Sequence, residues 1–291
     1  MYRMGRAILI LAPTLSAAAA QDKGGGKSDT PAEQYRALVK EFNEAAHANW
    51  NATTDEERKQ IAARIEKLPL RLLELVEKYP KDPIALDALT QVVTQEYWLD
   101  NYTSHPGWGQ DSRQARAIAI LLRDHIQSDK LGETCKRVHF GFRQECETFL
   151  RTVLEKSPHK EVRALAGLRL AQFLKYRWLR LDLLQDQPEM ARRYEGLYGK
   201  DYLDALQRQD RSQVVAETEA IFEQAIKQYG DVKLPFGGTV GETARAELYE
   251  IRYLSVGKVA PEIDGEDQDG RNFKLSDYRG KVVLLYFWQQ F

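Results

Sequence analysis

Asn272-Phe273-Lys274-Leu275-Ser276-Asp277-Tyr278-Arg279-Gly280-Lys281-Val282-Val283-Leu284-Leu285-Tyr286-Phe287-Trp288 marks a change of pattern in the chain. Up to Leu254 apolar residues recur at helical spacing. Here they do not. Pro261 to Asp267 and Asn272 to Leu275 flank Asp269-Gly270, a turn pair that predicts a β-hairpin. Ser276-Asp277-Tyr278 reads as a single helical turn. Lys281 to Phe287 is a continuous apolar run, β-branched at Val282 and Val283, as in a strand buried on both faces.

The same stretch carries a resemblance. Val256-Gly257-Lys258-Val259-Ala260-Pro261-Glu262-Ile263 follows a "VGxxAPxF" opening with Ile263 in place of the final Phe, and residues 269–288 fit "DGxxxxLSDxRGKVVLLxFW". The segment resembles the start of secreted thioredoxin-like domains of the redoxin group: the alkyl-hydroperoxide-reductase/thiol-specific-antioxidant family and the periplasmic thiol–disulfide oxidoreductases. Pro261, Asp277, Arg279, Gly280, Lys281, Phe287 and Trp288 are the matching motif positions. The Phe287-Trp288 pair suits the oxidoreductases better than the peroxidases. The resemblance covers residues 256–291 and implies an incomplete thioredoxin-like α/β domain, made of the hairpin and the first central strand.

In that family two variable residues and an aromatic precede a CxxC motif. Gln289, Gln290 and Phe291 take those places, so the resemblance implies a first Cys immediately after Phe291. In a CxxC pair a thiol of lowered pKa attacks as thiolate and its neighbour resolves the mixed disulfide. With neither sulfur in residues 1–291, the chain as it stands is expected to be inactive in that chemistry. One expectation for the following codon is UGA, encoding selenocysteine; a frameshift or pseudogene is the other.

Working outward, the region 31–254 is helical in character. Thr30-Pro31-Ala32-Glu33 combines an N-cap, an N1 proline and an early acid. Thr54-Asp55-Glu56-Glu57 opens a second helix, which Pro69 kinks or splits. Asp82-Pro83 opens a third, and residues 101–109 form a loop. Further helices are predicted from Asp111, at about 141–156, 158–184, 188–197 and 201–208, then at 211–229 and 240–254 around a Gly- and Pro-rich turn. Two helix ends, Leu75 to Pro80 and Leu154 to Pro158, both run into Ala/Leu-rich helices. Helical hairpins of this kind predict a mainly α, repeat-like fold resembling a tetratricopeptide solenoid. Arg177 to Arg180 and Arg192-Arg193 read as solvated helix faces.

The N-terminus reads as a signal peptide over 1–20. Arg3 and Arg6 precede a short apolar run from Ala7, and Ser16 and Ala17 to Ala20 supply small residues for cleavage before Gln21. An uncleaved anchor is the alternative. Residues 21–30 are a flexible linker. The expected location is exported, periplasmic or extracellular in a bacterium, with no membrane span once the signal is removed. With 42 basic and 43 acidic residues and a formal net charge of −1, the chain lacks the basic excess of a nucleic-acid binder.

The two cysteines, Cys135 and Cys146, are not spaced as a redox pair. In an exported chain they predict one structural disulfide or two buried thiols. A metal site with His139 and His125 is disfavoured, because the spacing matches no common zinc site. No cofactor is expected. Trp50, Tyr97, Trp98, Tyr102 and Trp108 fill the core or line a peptide groove. Two functions compete: a thiol–disulfide oxidoreductase by descent with an N-terminal helical half, and a non-catalytic helical interaction module with a vestigial redoxin segment. Neither the redox partner nor the protein partner can be read from these residues.

Overall fold

The computed structural model describes residues 29–102, 112–139, 142–235 and 237–286, the side chains of 96–102 apart. The predicted signal peptide and most of the linker lie outside the described residues. So do Phe287, Trp288, Trp108 and most of the 101–109 loop.

The chain is mainly α. Its helices are α1 (Pro31–Asn51), α2 (Asp55–Ile65), α3 (Leu68–Lys78), α4 (Ile84–Tyr102), α5 (Arg113–Asp124), α6 (Gly132–Val138), α7 (Gln144–Lys156), α8 (Lys160–Asp186), α9 (Pro188–Tyr198), α10 (Lys200–Gln207), α11 (Arg211–Tyr229) and α12 (Val240–Tyr249). A 3-10 turn, Asp129–Leu131, leads into α6, and a π turn, Glu250–Leu254, extends α12.

Local chemistry sets these boundaries. Thr30 and Glu33, Thr54 and Glu57, and Thr239 and Glu242 each form a reciprocal capping box, so backbone N–H groups at three helix starts find acceptors. Pro69 lies in the first turn of α3, and the predicted long helix is split into α2 and α3. Gly241 packs directly on Gly230. A Cβ at 241 would lie 2.9 Å from the Cα and O of Gly230, so only glycine allows the α11–α12 turn to close this tightly.

Helices joined by short links pack together: α3 on α4 across Tyr79 to Pro83, α7 on α8 across Ser157 to His159, and α11 on α12. Such links make neighbours antiparallel, giving helical hairpins. α8 is the hub, packing on α6, α7, α9, α11 and α12. Apolar residues on one side of it, among them Val162, Ala166, Leu170, Phe173 and Leu174, join the main core built from α1 to α7. Ala164, Leu168 and Ala171 join a second core with Phe222, Ala225, Val240, Ala244 and Leu248. Buried residues on two sides of α8 therefore make it the wall between two cores. A third, small core sets Phe142 against Leu203 and Leu206.

The predicted hairpin forms as β1 (Asp264–Glu266) and β2 (Asn272–Lys274), antiparallel, with Gly265 opposite Phe273. Gly270 in its turn has φ +75°, and Asp267 Oδ1 accepts from the N–H groups of Asp269 and Arg271, each at 2.9 Å. Leu275–Tyr278 is the expected helical turn, as 3-10.

The apolar run from Lys281 is not a buried strand: residues 282–286 are not in a sheet, and Val282 and Leu284 are 104 % and 90 % exposed. A strand exists only through a ladder, and the one sheet among the described residues pairs β1 with β2 alone. The sequence reading also omitted the 3-10 turn and α6.

Candidate functional site

Of the redoxin-like motif residues, Pro261 precedes β1, Asp277 is tied to β2, and Arg279, Gly280 and Lys281 follow the 3-10 turn; Phe287 and Trp288 lie outside the described residues. Asp277 Oδ2 accepts the Lys274 N–H at 2.9 Å and so fixes the 3-10 turn. Glu262, beside half-buried Pro261, accepts the Ser276 N–H at 2.9 Å, and hydrogen bonds from Ser276 hold its carboxyl below the usual range. The Ile263 carbonyl accepts from the Leu275 N–H. Gly280 turns the chain with φ +82°, between exposed Arg279 and Lys281, and the Lys281 ammonium lies 5.5 Å from the centre of the Tyr278 ring. These contacts position backbone. They bring no nucleophile, and no acid–base pair, to one point.

The two cysteines are elsewhere. Cys135 on α6 and Cys146 on α7 are both fully buried and are not bridged to each other in the structure. Cys146 Sγ donates to Gln114 Oε1 on α5 at 3.4 Å, which turns it to another partner. Burial pushes the Cys135 thiol up to about 12, although nearby Arg169 pulls the other way. A thiol so held is neither ionised nor reachable at neutral pH. No group of three or more His, Cys, Asp or Glu among the described residues is placed to hold a metal ion.

Two ionic networks escaped the sequence reading. In the first, Lys175 Nζ lies 2.7 Å from Glu247 Oε2 and 2.6 Å from Glu250 Oε2. Gln172 Nε2 donates to Glu247 Oε1, and Arg169 Nη1 donates to Gln172 Oε1, both at 2.7 Å. Arg169 also approaches His139 Nε2 at 3.4 Å. Burial, reinforced by Arg169, holds His139 well below the ordinary imidazole range. For Lys175 burial works against the charge, but the bonds to Glu247 and Glu250 outweigh it and hold the ammonium above its usual value.

The second network corrects the reading of Arg177 as solvated. Arg177 is 5 % exposed, and its Nη1 donates to Glu147 Oε2 at 2.5 Å. Arg151 donates to the other oxygen of Glu147 at 2.9 Å and to Glu217 at 2.7 Å, tying α7, α8 and α11 together. Burial raises Glu147, but the two guanidiniums more than offset it. Each network balances two cations with two carboxylates. Charges balanced in this way can hold helices in register. The sequence signal for the first was the three-residue spacing of Arg169, Gln172 and Lys175, which sets them along one side of α8 among buried apolar residues.

Two open grooves flank α11. One, of about 670 Å³, runs along Arg211, Val215, Glu219 and Glu223 to Arg252. The other, of about 400 Å³, lies between α7 and α11 over Leu170. Trp50 is 67 % exposed and belongs to neither. The side chains of Tyr97, Trp98, Tyr102 and Trp108 lie outside the described residues.

Residues 256–291 match the AhpC/TSA family. The match begins two residues after the last helical turn and spans the hairpin, the 3-10 turn and the apolar run, so the redoxin-like segment and the helical region meet at the change of pattern near Leu254. No curated protein and no solved structure matches the chain. Among the described residues no helix is long and apolar enough to cross a membrane.

Proposed function

We propose that the chain belongs to an exported thiol–disulfide oxidoreductase, in which the helical region 31–254 precedes a redoxin-like domain that begins at residue 256. The observation that carries this reading is the family match over 256–291, supported by a hairpin and 3-10 turn formed where the motif predicts them. The chemistry belongs to a CxxC-type pair placed by the resemblance directly after Phe291. Cys135 and Cys146 do not replace it, being buried and outside the segment. Reading the coding sequence past codon 291 tests the proposal. An in-frame CxxC or selenocysteine motif followed by thioredoxin-like sequence supports it, and an in-frame reading without either contradicts it. Residues 1–291 alone should not reduce insulin above background. Turnover that survives replacement of both cysteines would place the chemistry elsewhere.

One observation favours a second reading, a helical interaction module with a vestigial redoxin segment: no described residue after Ile251 is buried. The same coding sequence separates the two.

A further inference from the structure

The last turn of the helical region is pinned from two sides. Glu250 meets Lys175 of α8, and Arg252 meets α11 with both arms of its guanidinium, Nε to Glu219 Oε2 at 2.7 Å and Nη2 to Glu223 Oε1 at 2.5 Å. Glu219 and Glu223 are four residues apart and so share one face of α11. The turn that carries Arg252 is a π turn, a rare geometry that re-aims side chains relative to the α-helix before it. Within it Ile251 is still buried in the second core. The Ser255 hydroxyl donates to the Ile251 carbonyl at 2.9 Å and closes the helix end.

Immediately beyond, packing stops. Val256 and Val259 are 105 % and 86 % exposed, and Gly257 has φ +85° with nothing within 4 Å of a Cβ placed on it. A clamped helical turn therefore abuts a linker whose Ser255–Lys258 turn closes on itself, the Lys258 N–H donating to the Ser255 carbonyl at 3.0 Å, and whose valines pack on none of the described residues.

We propose that Arg252, gripped by Glu219 and Glu223, is a latch that ends the rigid helical unit at Leu254 and confines movement of the redoxin-like segment to a hinge at Gly257. The latch also sets the direction in which the linker leaves α12. With Arg252 released, the π turn loses its tie to α11 and the hinge spreads back toward Tyr249. The bonds are partly exposed, so salt weakens them.

Limited proteolysis of the full chain tests this, because cleavage of a folded protein tracks local opening. Trypsin acting on the unaltered protein should leave a stable helical fragment ending at Lys258, with the Arg252–Tyr253 bond intact. A Glu-specific protease should spare Glu250. In Arg252→Met, and in the Glu219→Gln/Glu223→Gln double variant, which keeps every side-chain shape, cleavage after Glu250 should rise roughly five-fold, as for loss of a modest ion pair. High salt should move the unaltered protein in the same direction. Protection of Lys258 in the unaltered protein overturns the hinge. Equal cleavage after Glu250 in all three proteins overturns the latch.

Discussion

Lys175 Nζ on α8 lies 2.7 Å from Glu247 Oε2 on α12, and the two side chains are only 3 % and 12 % exposed. This pair joins the hub helix to the last hairpin of the domain. Its energetic weight lies in what breaking it leaves behind. Lys175→Met strands the Glu247 carboxylate in a poorly hydrated place, at a cost of about 3–5 kcal/mol. Lys175→Met combined with Glu247→Leu should cost clearly less than the sum of the two single changes. Urea unfolding of the four proteins measures this, and simple additivity would contradict the coupling.

His139 makes stability depend on pH in a predictable sense. Its folded pKa lies well below the ordinary 6.5, so the unfolded chain binds a proton that the folded chain refuses. Stability should therefore fall as pH drops below about 6.5 and continue to fall toward the folded pKa. His139→Gln should flatten the slope between pH 6.5 and 5 while leaving the steeper loss below pH 4.5. There Glu147, whose folded pKa is depressed, takes up its proton and releases Arg177 and Arg151. A slope unchanged in the variant would show that the imidazole titrates normally in the fold.

The thiols give a count. Both are buried and unbridged, and Cys135 has its pKa pushed up to about 12. Ellman's reagent should find no reactive thiol in the native protein and two after denaturation without reductant. No thiol under denaturing conditions would mean that Cys135 and Cys146 are bonded after all.

Much of the fold was legible because its signals are local. Thr30-Pro31, Thr54 and Pro69 each act on the backbone within a turn, and each boundary falls where the residue dictates. The hairpin was legible for the same reason, through Asp269-Gly270. What was not legible depends on partners distant in sequence. The run from Val282 has the composition of a central strand, yet a strand exists only where a neighbour pairs with it, and none of the described residues does so. Arg177 has the composition of a surface residue, and only Glu147, thirty positions away, makes its burial tolerable. Helix α6 is seven residues long, and with Glu133, Lys136 and Arg137 among them it offers too short an apolar stripe. Leu131, Cys135 and Val138, at helical spacing, were the available clue.

We propose that residues 31–254 fold as a unit of their own, to which the redoxin-like segment 256–291 adds no core. Thermal unfolding of the full chain beside a version ending at Leu254 tests it most directly. For a domain of this size 1 kcal/mol moves Tm by about 2–4 °C. The account predicts midpoints within about 2 °C of each other, with less aggregation in the shorter chain because the exposed run from Val282 is gone. A shorter chain that melts more than about 5 °C lower, or does not fold, would contradict it.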